Sequence, residues 1–362
     1  MNKKTCLYDR HVQLGALIQP FAGFEMPIQY SSIIDEHNAV RQHCGVFDVS
    51  HMGEVFVTGD DAERFVNHIF TNDVTGAPVG KIYYGMMCYP NGGTVDDLLV
   101  YKMGEQHFFI VINAANIDKD VAWMTDNASG FNVNIDHCSD RYGQLAVQGP
   151  EAEAVMEEVL HLPCKELEFY TVKTIDTEGE QIIVSRTGYT GEDGFEIYGS
   201  HAYIISQWDR LMQSGRCKPC GLGCRDTLRF EVGLPLYGDE LSQDISPVMA
   251  GLSMFCKFDK PEFIGKEALL KQKAEGVERR LRGLVLDDRA VPRHGYKVLK
   301  DGVEVGEVTT GYRLISVEQS CAVALVDASL KLGDRVDVQI RKKTFPATVA
   351  KKKFYDKHYH KS

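Results

Sequence analysis

The residues best able to do chemistry lie in three glycine-marked segments. The first is Asn91-Gly-Gly-Thr-Val-Asp-Asp-Leu-Leu-Val-Tyr101. Asn-Gly-Gly signals a turn, and the run after it reads as a strand. Side chains alternate faces along a strand, so Asp96 and Asp97 point opposite ways. The pattern predicts that one carboxylate is solvated and that the other enters whatever the sheet covers. The residues that follow are apolar on both faces, so the strand is expected to be buried on both sides. A carboxylate is costly there unless it has a partner or a task. The structural alternative is an Asp that caps the hairpin backbone through an Asx-turn.

The second segment is Arg186-Thr-Gly-Tyr-Thr-Gly-Glu-Asp-Gly-Phe-Glu-Ile197. Its glycines imply tight turns and close backbone approach. It is neither GxGxxG opening a helix nor a P-loop with its Lys, so nucleotide binding is a poor fit. Glu196 stands between Phe195 and Ile197 and faces away from both. It could accept two parallel hydrogen bonds from the edge of an amino-heterocycle, or it could be a surface residue on an edge strand. The third segment is Gly221-Leu-Gly-Cys-Arg-Asp-Thr-Leu-Arg-Phe-Glu231. Arg225 and Arg229 are four apart and share a helix face. The planar fork of Arg225 could clamp a carboxylate or stack on a ring; a local salt bridge to Asp226 or Glu231 is the alternative. His51 offers a general base or a hydrogen-bonded structural residue. Cys217-Lys-Pro-Cys220, followed by Cys224, has the spacing of a metal or redox site. No fourth ligand is near it, and a helical pattern precedes it rather than a strand, so buried thiols near a turn are expected.

These segments need a framework. Helical patterns cover Ala62–Phe70, Ile117–Asp126, Pro150–Leu160, Ala202–Met212 and Arg225–Val232, with Pro150 suited to a first helical turn. Strand patterns cover Glu54–Val57, Leu98–Lys102, Phe108–Asn113, Gln144–Val147 and Gln181–Ser185. The character changes over Ser246–Val277. Beyond it lie short strand patterns at Arg282–Leu286, Tyr296–Leu299, Glu304–Thr309, Cys321–Val326, Arg335–Ile340 and Phe345–Ala350. Their spacing suits a small barrel or sandwich. The fold class is therefore α+β, a body of mixed sheets and helices followed by an all-β, barrel-like C-terminal domain. Helices and strands do not alternate strictly, which argues against a doubly wound parallel sheet.

Composition narrows the function. The 362 residues are 44% hydrophobic and 25% charged, enough for a sizeable core. The net charge of −11 argues against nucleic acid, whose binders must neutralise phosphates. Neither an apolar run of signal-peptide length near the N-terminus nor a membrane-length apolar stretch is present. The ten cysteines follow no disulfide framework. A soluble, cytoplasmic protein with reduced thiols is expected.

Taken in order, the pieces PFAGFEMPIQY, RQHCGVFDVSHMGE, NGGTVDDLLVY, VQGPEA, SRTGYTGEDGFEI, KPCGLGCRDTLRFE and LYGDELSQDISPV resemble one family. It is the aminomethyltransferase, or T-protein, family of the glycine cleavage system, within the folate-binding aminomethyltransferases. The all-β tail suits that family too. The resemblance implies a body arranged around a central folate pocket. It divides the chain into a discontinuous first α+β domain (1–50 and 140–250), a second (51–139), a linker (251–277) and a C-terminal barrel (278–362). It implies transfer of a one-carbon unit from the aminomethyl-lipoyl arm of the H-protein to tetrahydrofolate. The products would be 5,10-methylenetetrahydrofolate, ammonia and the dihydrolipoyl arm. Tetrahydrofolate would be the acceptor substrate, with no metal, no nucleic acid and no membrane involved.

By the same resemblance, Asp97 is the catalytic carboxylate and Glu196 grips the pterin edge. Arg225 and Tyr359 contact folate, and Met52, Tyr84, Asn113 and Tyr189 form further walls. An acidic H-protein would prefer a basic patch, for which Lys351–Lys353 and Arg341–Lys343 are candidates; a solvated tail that aids solubility is the alternative. The chain departs from the family pattern at Thr309-Thr-Gly-Tyr-Arg-Leu-Ile-Ser-Val317, a change expected on the C-terminal domain surface, and at Cys224, where Ala is usual. Two other readings compete. One is a folate-dependent demethylase domain, which would be expected beside a flavin-binding domain. The other is a folate-binding Fe–S assembly factor without transferase activity, whose glycine-rich signature differs from TGYTGEDGFE.

Overall fold

The computed structural model describes residues 2–359. Two sheets lie face to face at its centre, and strand alternation decides what enters the space between them. In the strand Thr94–Gly104, Val95, Leu98 and Val100 pack on the helix Ala62–Ile69 and beneath the helix Ile117–Asp126. Leu99, Tyr101 and Met103 face the other way. His107–Ile112 behaves likewise: Phe108, Ile110 and Ile112 point to the helices, Phe109 and Val111 to the opposite sheet. In Gly194–Gly199, Phe195 and Ile197 join the core under the helix His201–Ser214, while Tyr198 turns inward. The result is four layers, helix, sheet, sheet, helix, each sheet apolar on both faces. Tyr101 and Tyr198 join the two sheets through their hydroxyls, 2.8 Å apart.

The first sheet has five antiparallel strands in the order Ile82–Cys88, Thr94–Gly104, His107–Ile112, Gly53–Thr58, Asn134–His137. The second has six, in the order Val172–Thr177, Glu180–Ser185, Gly194–Gly199, Gly143–Gln148, Gly45–Asp48, Lys218–Cys220; only the last pair is parallel. A three-stranded N-terminal sheet flanks the body. Six strands from Arg279–Leu286 to Lys343–Ala350 close a barrel around Leu284, Val298, Val308, Val336 and Val349. The barrel docks on the body through Phe230, Leu241, Leu252, Leu281, Leu314 and Val323. Mixed helices and sheets with a closed barrel at the C-terminal end are the predicted α+β class.

Several expectations change. The aspartate strand begins at Thr94, earlier than the pattern Leu98–Lys102, so Asp96 and Asp97 sit within the sheet as their alternation required and the hairpin-cap alternative falls. The helix expected from Pro150 starts at Ala152, with Glu151 as its cap residue, so Pro150 precedes the first turn. Glu196 lies on an interior strand, flanked on both sides, and not on an edge. The segment 309–317 is not a free surface. It ends the long barrel strand Val303–Arg313 and then folds back onto the body. No helix among the described residues is long and apolar enough to cross a membrane.

Candidate active site

A cavity of about 1840 Å³ opens where the two-sheet body, residues 251–255, the barrel and the C-terminal tail meet. Asp97, Glu196, Arg225, Tyr359, Tyr84, Met52, Asn113 and Tyr189 all line it, although they come from positions 52 to 359.

Asp97 reaches the cavity because, from Asp97 onward, odd positions of its strand face the space between the sheets. Tyr84 Oη donates to Asp97 Oδ2 at 3.0 Å, and Asn113 Nδ2 donates to Oδ1 at 3.0 Å. Burial, and after it the charge of Asp96, pushes the Asp97 carboxyl up to about 7, against the pull of those two bonds. Asp96 faces the helices and is wholly buried. The expected split between an accessible and a covered carboxylate is found, with the cavity rather than the outer surface receiving the accessible one: Asp97 is partly open to the cavity, and Asp96 is sealed under the helix Ile117–Asp126.

Glu196 is held from two strands and a loop. Gln144 Nε2 donates to one carboxylate oxygen at 3.0 Å and Thr187 Oγ1 to the other at 2.5 Å. Burial raises its pKa, and the Thr187 bond, the nearby Arg225 charge and the Gln144 bond pull the other way. Gly188 and Gly194 let the backbone approach here, because a Cβ at either would lie within 2.4 Å of the Gln148 side chain.

Arg225 and Arg229 share a face in name only. Arg229 is locked by Asp226 and Glu240, each at 2.7 Å. Arg225 has no carboxylate partner among the described residues. Its guanidinium lies 4.8 Å from the Tyr189 ring centroid, and its buried Nη1 is without a hydrogen bond. Glu231, the other local acid, pairs with Arg41 and His37 instead. Tyr189 is fixed by its hydroxyl on Pro235 O. Tyr359 stacks on Phe169, centroids 4.3 Å apart. The exposed cations Arg293, Lys351, Lys353 and Lys357 also line the cavity, so its mouth is basic on a chain of net charge −11. Arg341–Lys343 form the turn of a barrel hairpin instead.

His51 sits in a buried turn before the strand Gly53–Thr58, edge-on to Phe21. Burial drops its pKa to about 4, which leaves the ring neutral near pH 7. The sulfurs of Cys44 and Cys217 lie 3.3 Å apart across the parallel strand pair, and all ten cysteines are free thiols. Burial holds the Cys217 and Cys224 thiols well above their ordinary range, the opposite of a reactive thiolate. Among the described residues, no group of three His, Cys, Asp or Glu is placed to hold a metal.

Sequence reasoning missed Gln144, Thr187 and Asp120. Gln144 was legible as a polar residue opening an apolar strand. Asp120 was legible on the stripe Ile117, Asp120, Val121, Met124, where helical spacing calls for apolar side chains.

Residues 7–260 match the family model of the GCVT N-terminal domain, and residues 279–356 that of the glycine cleavage T-protein C-terminal barrel domain. The chain belongs to the glycine cleavage T-protein family. The aminomethyltransferases of Thermoanaerobacter pseudethanolicus and Bacillus subtilis are 47% and 46% identical to it. They cover 99% and 98% of this chain and 99% of each relative. The crystal structure of the glycine cleavage system aminomethyltransferase T from Bartonella henselae superposes with a TM-score of 0.95 at 31% identity, over the whole of both chains. The T-protein framework thus extends from the first sheet to the closed barrel, and this family member is an aminomethyltransferase.

Proposed function

We propose that the cavity takes tetrahydrofolate and the aminomethylated lipoyl arm of an H-protein, and that Asp97 carries the transfer between them. The observation that supports this most directly is the placing of Asp97, a carboxyl facing the cavity, held by Tyr84 and Asn113 and poised near neutrality. Freeing the methylene carbon from its amine or sulfur builds positive charge. A fixed carboxylate in a dry site stabilises that charge far better than water does, and it can take up the proton released when a folate nitrogen forms its bond to carbon. Ammonia and the dihydrolipoyl thiol leave, and the carbon stays bridging two folate nitrogens.

The other residues divide by chemistry. Glu196 offers two acceptor oxygens to the donor-rich edge of a pterin, the arrangement a planar amino-heterocycle needs. Arg225, with an unsatisfied Nη1, offers a flat cationic face beside Tyr189. The basic mouth suits the anionic glutamate of a folate and the approach of an acidic carrier protein. Met52 and Tyr359 supply apolar walls. Two substrates meeting in one enclosure gain much of the rate from proximity. A cytoplasmic setting fits this reading.

The test is a coupled assay with lipoylated, aminomethylated H-protein and tetrahydrofolate, scoring ammonia and methylenetetrahydrofolate. The wild-type chain is expected to turn over, and Asp97→Asn to lose about 10²-fold or more in kcat while still binding folate. A variant with near-normal kcat would remove Asp97 from the chemistry.

A further inference from the structure

The proposed transfer leaves further buried acids unused. Asp96, on the far side of the strand from the cavity, accepts three hydrogen bonds: from Asn113 N at 3.0 Å, Asn113 Nδ2 at 2.8 Å and Asn116 Nδ2 at 2.6 Å. Asn113 Nδ2 also donates to Asp97 Oδ1, so one amide bridges the two aspartates. Asp120 follows Asn116 by four residues on the helix Ile117–Asp126. It therefore shares the face that Asn116 turns toward Asp96, and Asp96 is the charged group that acts on it most strongly.

Asp120 is wholly inaccessible to solvent, and neither of its carboxyl oxygens receives a hydrogen bond from any donor among the described residues. The groups around it are few. Lys119, its neighbour on the helix, stands 3.9 Å from Oδ1, but its ammonium is held by Val95 O and by Tyr237 Oη at 3.0 Å. From the strand come Asp96 and, more distantly, Asp97. Two carboxylates that share a dry site cannot both ionise. Asp96 already collects three donors and remains the acceptor. Asp120 gains a bond only by carrying a proton.

We propose that Asp120 is kept as the neutral acid and donates a hydrogen bond from its retained proton to Asp96, and that this singly charged pair positions Asp97 through Asn113. Burial, and after it the Asp96 charge, holds the Asp120 carboxyl far above the ordinary carboxylate range, which agrees with this assignment. Asp120 touches nothing in the cavity, so it is a positioning residue. Were it ionised, the second charge would drive Asp96 off Asn113, and Asp97 would lose the amide that aims it. The role presupposes the transfer reading, but the proton itself does not.

Infrared difference spectra of the full chain at pH 7 test the proton directly. Subtracting Asp120→Asn from wild type should leave the C=O band of one protonated carboxyl, whatever reaction the protein performs. Kinetics test the role. Asp120→Leu, of similar bulk but without a donor, should lower kcat by about 10- to 100-fold, with KM for tetrahydrofolate moved less than about twofold. Asp120→Asn, whose amide still donates to Asp96, should restore kcat to within about threefold of wild type. A purely structural Asp120 would lower Tm without splitting kcat from KM. The proposal is overturned by the absence of the difference band, or by a wild-type kcat in Asp120→Leu. If that variant does not fold, the band and the asparagine variant decide. A wild-type chain without transfer would sink the functional reading, and the band would still decide the pair.

Discussion

Asp97 shows how one side chain can be unfavourable to the fold and needed by the site. Its pKa is raised from the ordinary 3.8 to about 7, burial being the larger cause and the Asp96 charge the second. Its favourable contribution to folding is fully present below about pH 3.8 and is lost as pH rises through about 7. Asp97→Asn removes the charge that the folded state resists. Its Tm is therefore expected to exceed that of wild type by about 1–3 °C at pH 8, with a smaller difference at pH 5, by scanning calorimetry. Activity runs the other way. If the ionised form does the chemistry, kcat/KM for tetrahydrofolate falls on the acid side of about pH 7. A flat profile from pH 6 to 8 would show that Asp97 is not the titrating group. The residue types were legible from sequence, because a pair of aspartates entering an apolar strand asks for a reason. Their partners were not, because Tyr84 lies on one neighbouring strand and Asn113 just past the end of the other, and only sheet pairing brings them to Asp97.

At the scale of elements, the helix Leu222–Glu231 does the joining. Its last residue, Glu231, accepts from Ile315 N at 3.0 Å, Ser316 N at 2.8 Å and Ser316 Oγ at 2.7 Å, and pairs with Arg41 and His37. Its backbone carbonyl accepts from Phe354 N and Tyr355 N. One residue thus ties the segment after the barrel strand, and the tail that carries Tyr359, to the body. Burial opposes ionisation of Glu231, but the His37 and Ser316 bonds outweigh it and bring its pKa down to about 2. This contribution is present above about pH 4.5 and is lost as pH falls toward 2. Glu231→Gln should cost about 2–3 kcal/mol in urea unfolding at pH 7. Its stability should also vary less than that of wild type between pH 4.5 and 2. An equal acid slope in both proteins would show that Glu231 does not carry it. The helix itself was predicted, three residues short at its start. Its partners were hidden, because they lie about 85 and 120 positions away along the chain.

For the whole molecule, the cavity exists only while the barrel sits on the body. Buried Arg229 bonds Glu240 at 2.7 Å and Thr310 of the barrel at 3.3 Å, and Glu240 accepts from Thr309 and Thr310, each at 2.7 Å. Arg229→Met would leave the Glu240 carboxylate buried without its cation, at a cost of about 3–5 kcal/mol. We expect a lower urea midpoint and a raised KM for tetrahydrofolate, since Tyr312, Leu314 and the tail line the cavity from the barrel side. An unchanged midpoint would show that the barrel docks by its apolar contacts alone.

Period-two and helical patterning, set by which faces must be apolar, marked most of the elements, the change of character after Ser246 and the barrel-like spacing beyond it. Short-range chemistry marked the Asp96–Asp97 pair, Glu196 and Arg225 as side chains in need of a purpose, and the family resemblance chose Asp97 from the pair. What patterning cannot carry is which buried face meets which. That Asp96 is sealed under a helix, that Glu196 is interior, that Arg229 forms the lock while Arg225 stays free, and that eight residues spread over the chain enclose one space were decided by long-range packing. Contacts of that kind depend on the joint geometry of sheets, barrel and tail, and no local stretch of sequence encodes it.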